Sequence, residues 1–143
     1  MRNLTLIMLS LSLTALAGCE REPTAPGEGS GAETASADLA GSACPPSFDW
    51  LPSLIKLPPD CTVVSLDQPD ERNRSLQLTT TADASRLIAD YAGELYMEGY
   101  VVKQLPGMGF LFSGPDVTQG RVELLDKEYE SRPVIQVDVE IKE

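Results

Sequence analysis

Only one stretch of this chain repeats its apolar residues with the period of a helix. Ala84, Leu87, Ile88, Tyr91, Ala92 and Leu95 recur at intervals of three and four and make one stripe, with Arg86, Asp90 and Glu94 on the opposite side. The spacing predicts a helix from about Ala82 to Glu98. Thr80 or Thr81 can cap its start, Asp83 favours the positive end of the helix dipole, and Gly99 is placed to end it in the left-handed conformation.

Around that helix the period falls to two. Cys61 to Leu66 and Arg74 to Thr80 read as a strand pair joined by the polar run Asp67–Asn73. Tyr100 to Leu105 and Phe110 to Ser113 make a second hairpin across Pro106-Gly107-Met108-Gly109. Gly120 to Leu125 and Val134 to Lys142 make a third, the last strand alternating Ile135, Val137, Val139 and Ile141 with Gln136, Asp138, Glu140 and Lys142. Parallel strand pairs need crossover connections, usually helices, and one helix cannot serve several of them. The expectation is therefore an α+β fold of order ββαββββ, an antiparallel sheet of five or six strands with one helix packed on one face. Residues 44–143 are enough for a single such domain with its own core.

The chain opens differently. Met1 and Arg2 precede an apolar stretch, Leu4 to Leu16, broken only by small hydroxyl residues. At roughly a dozen residues it is short of the ~20 that span a bilayer, and small residues follow it as before a cleavage site, so residues 1–18 read as an export signal. The boundary Leu16-Ala17-Gly18-Cys19 resembles the lipobox of bacterial lipoproteins, in which the cysteine receives a diacylglycerol through its sulfur before cleavage. That resemblance implies a membrane anchor of two or three acyl chains on Cys19, enough for stable attachment. Glu20 stands where, in the enterobacterial sorting rule, an Asp signals inner-membrane retention, so the resemblance favours the outer membrane, facing the periplasm. An ordinary secretory signal would instead leave Cys19 as a free thiol. With Cys19 assigned to lipid, the three cysteines resolve into one anchor and one pair, Cys44 with Cys61, in a compartment that permits disulfides.

Residues 20–43 are Glu, Ser, Thr, Ala, Gly and Pro with almost nothing apolar, a composition that cannot offset its ordering entropy. As a flexible tether, these residues have an r.m.s. span of roughly 27 Å and a taut limit of about 80 Å. Gly27-Glu28-Gly29-Ser30-Gly31 is not a phosphate loop, because no strand precedes it and no Lys-Ser/Thr follows. Cleavage after residue 18 would leave 10 Lys and Arg against 22 Asp and Glu, a net charge of −12. This disfavours nucleic acid and anionic lipid as partners and favours encounter with a basic one.

The search for chemistry yields exclusions. The chain has no histidine, which removes Ser/His/Asp and Cys/His nucleophiles and imidazole metal sites. Gly-x-Ser-x-Gly is absent, and Gly107 to Phe112 fails the dinucleotide fingerprint at its last glycine. Glu123, Asp126, Glu128 and Glu130 in one hairpin arm and Asp138, Glu140 and Glu143 in the other could hydrolyse glycosides or collect calcium, but their alternation with apolar residues reads as a solvated sheet face. The expectation is a non-enzymatic protein with no cofactor and no metal.

The segment Cys44 to Cys61, CPPSFDWLPSLIKLPPDC, holds the only Trp and five prolines. Either it closes the face of the sheet that the helix leaves open, or an end of the core, or Trp50, Leu54 and Ile55 form an exposed, preorganised patch for a partner. The stretch from Thr79 to Val102, with Tyr91, Leu95 and Gly99-Tyr100, resembles a helix-then-strands pattern of small bacterial envelope lipoproteins, a structural motif that brings no activity with it. Two functions follow as expectations. One is an envelope module that binds another protein, as an assembly factor, inhibitor or immunity protein. The other is a sensor or carrier of small ligands or cell-wall fragments, with a pocket lined by Leu87, Tyr91 and Phe112.

Overall fold

The computed structural model describes residues 39–143; the expected export signal, Cys19 and the expected tether up to residue 38 lie outside the described residues. The elements run β1 (Thr62–Asp67), β2 (Asn73–Thr79), α1 (Ala84–Met97), β3 (Val101–Gln104), β4 (Gly109–Ser113), β5 (Val117–Tyr129) and β6 (Arg132–Ile141). All six strands join one antiparallel sheet in the order β1-β2-β6-β5-β4-β3.

Helix α1 starts at Ala84 because Asp83 caps it, its carboxylate accepting from the backbone N–H of Ser85 at 3.0 Å and of Arg86 at 3.1 Å. The expected cap, Thr80 or Thr81, is engaged elsewhere: both hydroxyls donate to the Asp60 carboxylate. At the other end Gly99 takes φ +86°, with Gly99 N–H donating to Tyr96 and Tyr100 N–H to Leu95, both about 3 Å. This is the Schellman arrangement, and it buries Tyr100 directly after the helix.

The sheet is two-faced. Val63 and Leu66, Leu76 and Leu78, Val102, Phe110 and Phe112, Val122, and Ile135, Val137 and Val139 fall in register on one face, nearly all of them buried. Gly120 sits directly opposite Phe112, and a Cβ there would overlap the ring, so the glycine is what lets Phe112 lie flat across the strand. The other face carries Ser65, Ser75, Gln77, Arg121, Glu123, Gln136 and Asp138, linked by hydrogen bonds such as Ser75 Oγ to Asp138 at 2.6 Å and Gln77 to Gln136 at 3.1 Å.

Six strands at about 4.8 Å spacing make a sheet about 24 Å wide, and a helix is only about 10 Å across. Helix α1 makes its main strand contacts with β3, β4 and β5. The remaining half of the apolar face, on β1, β2 and β6, is covered by the loop between Cys44 and Cys61, whose Leu51, Ile55 and Leu57 join the same core cluster. Loop and helix are sewn together where the Tyr91 hydroxyl donates to the Lys56 carbonyl. The loop thus closes the core beside the helix, on the same face, and the opposite face stays polar; this corrects the expectation that it would cover the far face, because the apolar side chains of all the strands lie on the helix side.

The two edges of the sheet differ. At the start of β1, Gly41 N–H donates to Val63, Val63 N–H to Ser42, and Ala43 bridges Thr62, so residues 41–43 shield the first two residues of that edge. Strand β3 has a partner only on its β4 side among the described residues.

Strand β5 is longer than its sequence pattern indicates, and it reaches β6 through a two-residue turn, Glu130-Ser131, with φ of +51° and +62°. Two positive φ values are the mark of a type I′ turn, which favours Asn-Gly and disfavours Glu-Ser. The double substitution Glu130→Asn, Ser131→Gly is expected to stabilise the fold by about 1 kcal/mol. Urea unfolding should show a higher midpoint at unchanged slope; an unchanged or lower midpoint would show that this turn is not under strain.

Candidate functional site

The disulfide Cys44–Cys61 is formed, with Cα atoms 5.4 Å apart. A bridge across 17 residues of sequence separation is worth roughly 3 kcal/mol in the chain-entropy model. It fixes both ends of the covering loop. Asp60 adds a second clamp, accepting from Thr80 Oγ1 at 2.9 Å, from Thr81 N–H at 2.8 Å and from the Thr81 hydroxyl. Those donors, the Thr81 hydroxyl foremost, hold the Asp60 carboxyl down at about 2 from the ordinary 3.8.

The three residues expected to form a partner surface do not stand together on the outside. Ile55 is 3% exposed and belongs to the core. Trp50 is half-buried, stacks on Phe48 with ring centroids 5.4 Å apart and an interplanar angle of 29°, and packs against the core cluster. Its indole N–H is buried with no hydrogen-bond partner among the described residues. Leu54, also half-buried, lines a shallow hollow of about 480 Å³ with Lys56, Gly93 and Met97.

The acidic residues of the two hairpin arms are dispersed. Glu123 pairs with Arg121 at 2.5 Å and lies opposite Gln136, Asp138 is bound by Ser75 and Gln136, and Glu140 faces Gln119. Among the described residues no three Asp, Glu or Cys come close enough to share a metal ion. The buried phenols are no better suited to proton transfer. Burial, aided by Glu94, raises Tyr91 well above its ordinary value, and burial with the Asp116 hydrogen bond at 2.6 Å pushes Tyr100 up to about 12.

The expected pocket under the helix is filled. Tyr91 and Phe112 are buried core residues and Leu87 packs against them. A groove of about 470 Å³ opens instead on the other flank of α1, toward β3 and the β3–β4 turn, walled by Ile88, Ala92, Tyr96, Val102, Met108 and Phe110. The small residues Ala89 and Gly93 keep its helical wall low.

Four large apolar side chains are markedly exposed among the described residues: Tyr96 at 71%, Met97 at 82%, Val101 at 70% and Met108 at 51%. Tyr96 and Met108 border the groove, Val101 lies on β3, and Met97 borders the hollow by Leu54. The sequence reading passed over all four. The available signal was position: Tyr96 and Met97 follow Leu95 but fall off the buried stripe, so each is an apolar residue that the core does not explain.

No family model, curated protein or solved structure matches this chain, so the site rests on its own geometry.

Two outcomes test the covering loop. Because the Trp50 N–H is buried without an acceptor, Trp50→Phe is expected to change stability by less than about 1 kcal/mol, whereas Trp50→Ala should cost about 2–3 kcal/mol in lost packing. Equal losses in denaturant unfolding would contradict that. Because the folded Asp60 carboxyl is held below 3.8, its contribution is complete above that pH and is lost as pH falls toward about 2. The gap in melting temperature between wild type and Asp60→Asn should therefore be constant from pH 7 to pH 5 and shrink toward pH 2. A gap that persists at pH 2 would show that the carboxylate charge is not what clamps the loop.

Proposed function

We propose that this chain is a bacterial envelope lipoprotein, held through acyl chains on Cys19 at the outer membrane facing the periplasm, whose domain binds another protein and performs no chemistry of its own. The observation that carries the binding role is that exposed Tyr96 and Met108 border one groove beside β3, a strand with no second neighbour among the described residues, while exposed Val101 stands on the other face of the same strand. Apolar side chains concentrated at one place on an otherwise polar, acidic surface mark an interface, and methionine adapts to the shape of a partner. Assembly factor, inhibitor and immunity protein are the roles compatible with such a tethered module. The alternative is a small-ligand carrier; Leu87, Tyr91 and Phe112 would not line its pocket, since Tyr91 and Phe112 are buried in the core, and the groove beside β3 would be the place for a ligand.

The test is site-specific crosslinking in intact membranes. A photoreactive phenylalanine at position 96 or 108 is expected to give an adduct with the same envelope protein, and one at Glu128, exposed on the far hairpin, to give none. Adducts absent from all three positions, or equal at all three, would remove the protein-binding role.

A further inference from the structure

Resting on that protein-binding reading, we propose that the partner supplies an extended segment of alternating apolar residues with basic flanks. It adds to the free edge of β3 as a seventh strand and lays its apolar side chains in the groove beside α1.

The phase of the backbone hydrogen bonds points to this. Leu105 N–H donates to Gly109 at 3.0 Å, and in the β3–β4 register Lys103 faces Leu111 and Val101 faces Ser113. In an antiparallel ladder alternate residues turn toward the partner strand, so Val101, Lys103 and Leu105 are bonded to β4. The N–H and C=O groups of Val102 and Gln104 therefore point outward, four backbone groups with no strand partner among the described residues. The side chains of the same two residues line the groove. A strand paired to them is thereby set with alternate side chains over Ala92, Tyr96 and Met108, and strand addition of this kind draws affinity from the backbone and selectivity from such hollows. On the opposite face, exposed Val101 and half-buried Leu111 extend the apolar surface the added strand would cover.

Charge chooses the flanks. The chain carries a net charge of −11, which draws in a basic segment; Glu94 and Glu98 line the hollow by Leu54 on the other flank of α1, so the attraction is that of the whole surface and not of the groove wall. The same charge argues against a second copy as occupant, since two such chains repel, and pairing centred on Lys103 would oppose two lysines. A second copy would also offer the groove only another Val102 and Gln104.

The probe is a fluorescent peptide, KVTVTVK, titrated against the full chain in detergent micelles, with EVTVTVE as its acidic counterpart. Binding is expected to saturate and to be at least tenfold tighter for the basic peptide. Gln104→Pro removes one outward N–H at an exposed residue and leaves the ladder bonds of Lys103 and Leu105 in place; it should weaken binding at least tenfold with an unchanged melting temperature. Ala89→Trp, which fills the groove without touching the edge, should weaken it similarly. No binding by the wild type, equal binding by Gln104→Pro, or preference for the acidic peptide overturns the proposal. So does a wild-type dimer in sedimentation that Gln104→Pro makes monomeric, which would give the edge to a second copy. If the position-96 crosslink survives in Gln104→Pro, strand addition is wrong while the protein-binding reading stands.

Discussion

The fold depends on covering one face of a sheet with too little helix. A single 14-residue helix spans about 21 Å in length but only about 10 Å in width, and it must serve six strands whose apolar side chains all point the same way. Left with the helix alone, Val63, Leu66, Leu76 and Leu78 would face water, at about 25 cal/mol for every Å² exposed. The loop from Cys44 to Cys61 meets this need with no regular structure of its own. Its five prolines lower the entropy it must lose, its disulfide ties both ends, and Asp60 and Lys56 pin it to the β2–α1 junction and to Tyr91.

The strand order follows from the same division. Pairing of β2 with β6 places the first hairpin beside the last strand, so that β1 and β2 form one side of the sheet and β3 and β4 the other. In this order β2 and β3 run in the same direction, four strand positions apart, and α1 must return across the buried face to join them. The helix consequently packs over β3, β4 and β5, and a groove remains between its flank and β3. The groove is the space left by that path, floored by Val102 and Phe110 and kept wide by Ala89, Ala92 and Gly93.

Much of the local structure was legible because it is written in periods and punctuation. The stripe from Ala84 to Leu95, Gly99 as terminator, the three hairpins and the Cys44–Cys61 pair all follow from spacing, composition or count. The helix start was misplaced, because the competition between Asp60 and the helix for Thr80 and Thr81 is a tertiary matter. The extra length of β5 was hidden since Asp126, Lys127 and Glu128 show no apolar alternation; Asp126 and Lys127 form a bulge, and pairing with β6 resumes at Glu128 and Tyr129. Strand order and the position of the covering loop depend on contacts between residues some sixty positions apart, such as Ser75 with Asp138, and no local pattern encodes them. The exposed apolar residues carry no comparable signal: Trp50 stands out in the sequence but spends its apolar surface on Phe48 and the core, whereas Tyr96, Met97, Val101 and Met108 are ordinary residues at the end of a helix, on a strand and in a turn.

The unequal edges bear on why β3 should be bare at all. Unpaired edges invite aggregation, and proteins blunt them with short strands, charge or cover. Strand β1 is covered at Thr62 and Val63 by residues 41–43, while among the described residues β3 has only its four-residue length and Lys103, both of which limit indiscriminate pairing without closing the backbone groups of Val102 and Gln104. The chain enters the sheet along β1, at the opposite edge, roughly 24 Å from β3 at normal strand spacing. An edge left open by accident could sit at either side; one meant for a partner is best placed away from the segment that enters the sheet, and β3 is.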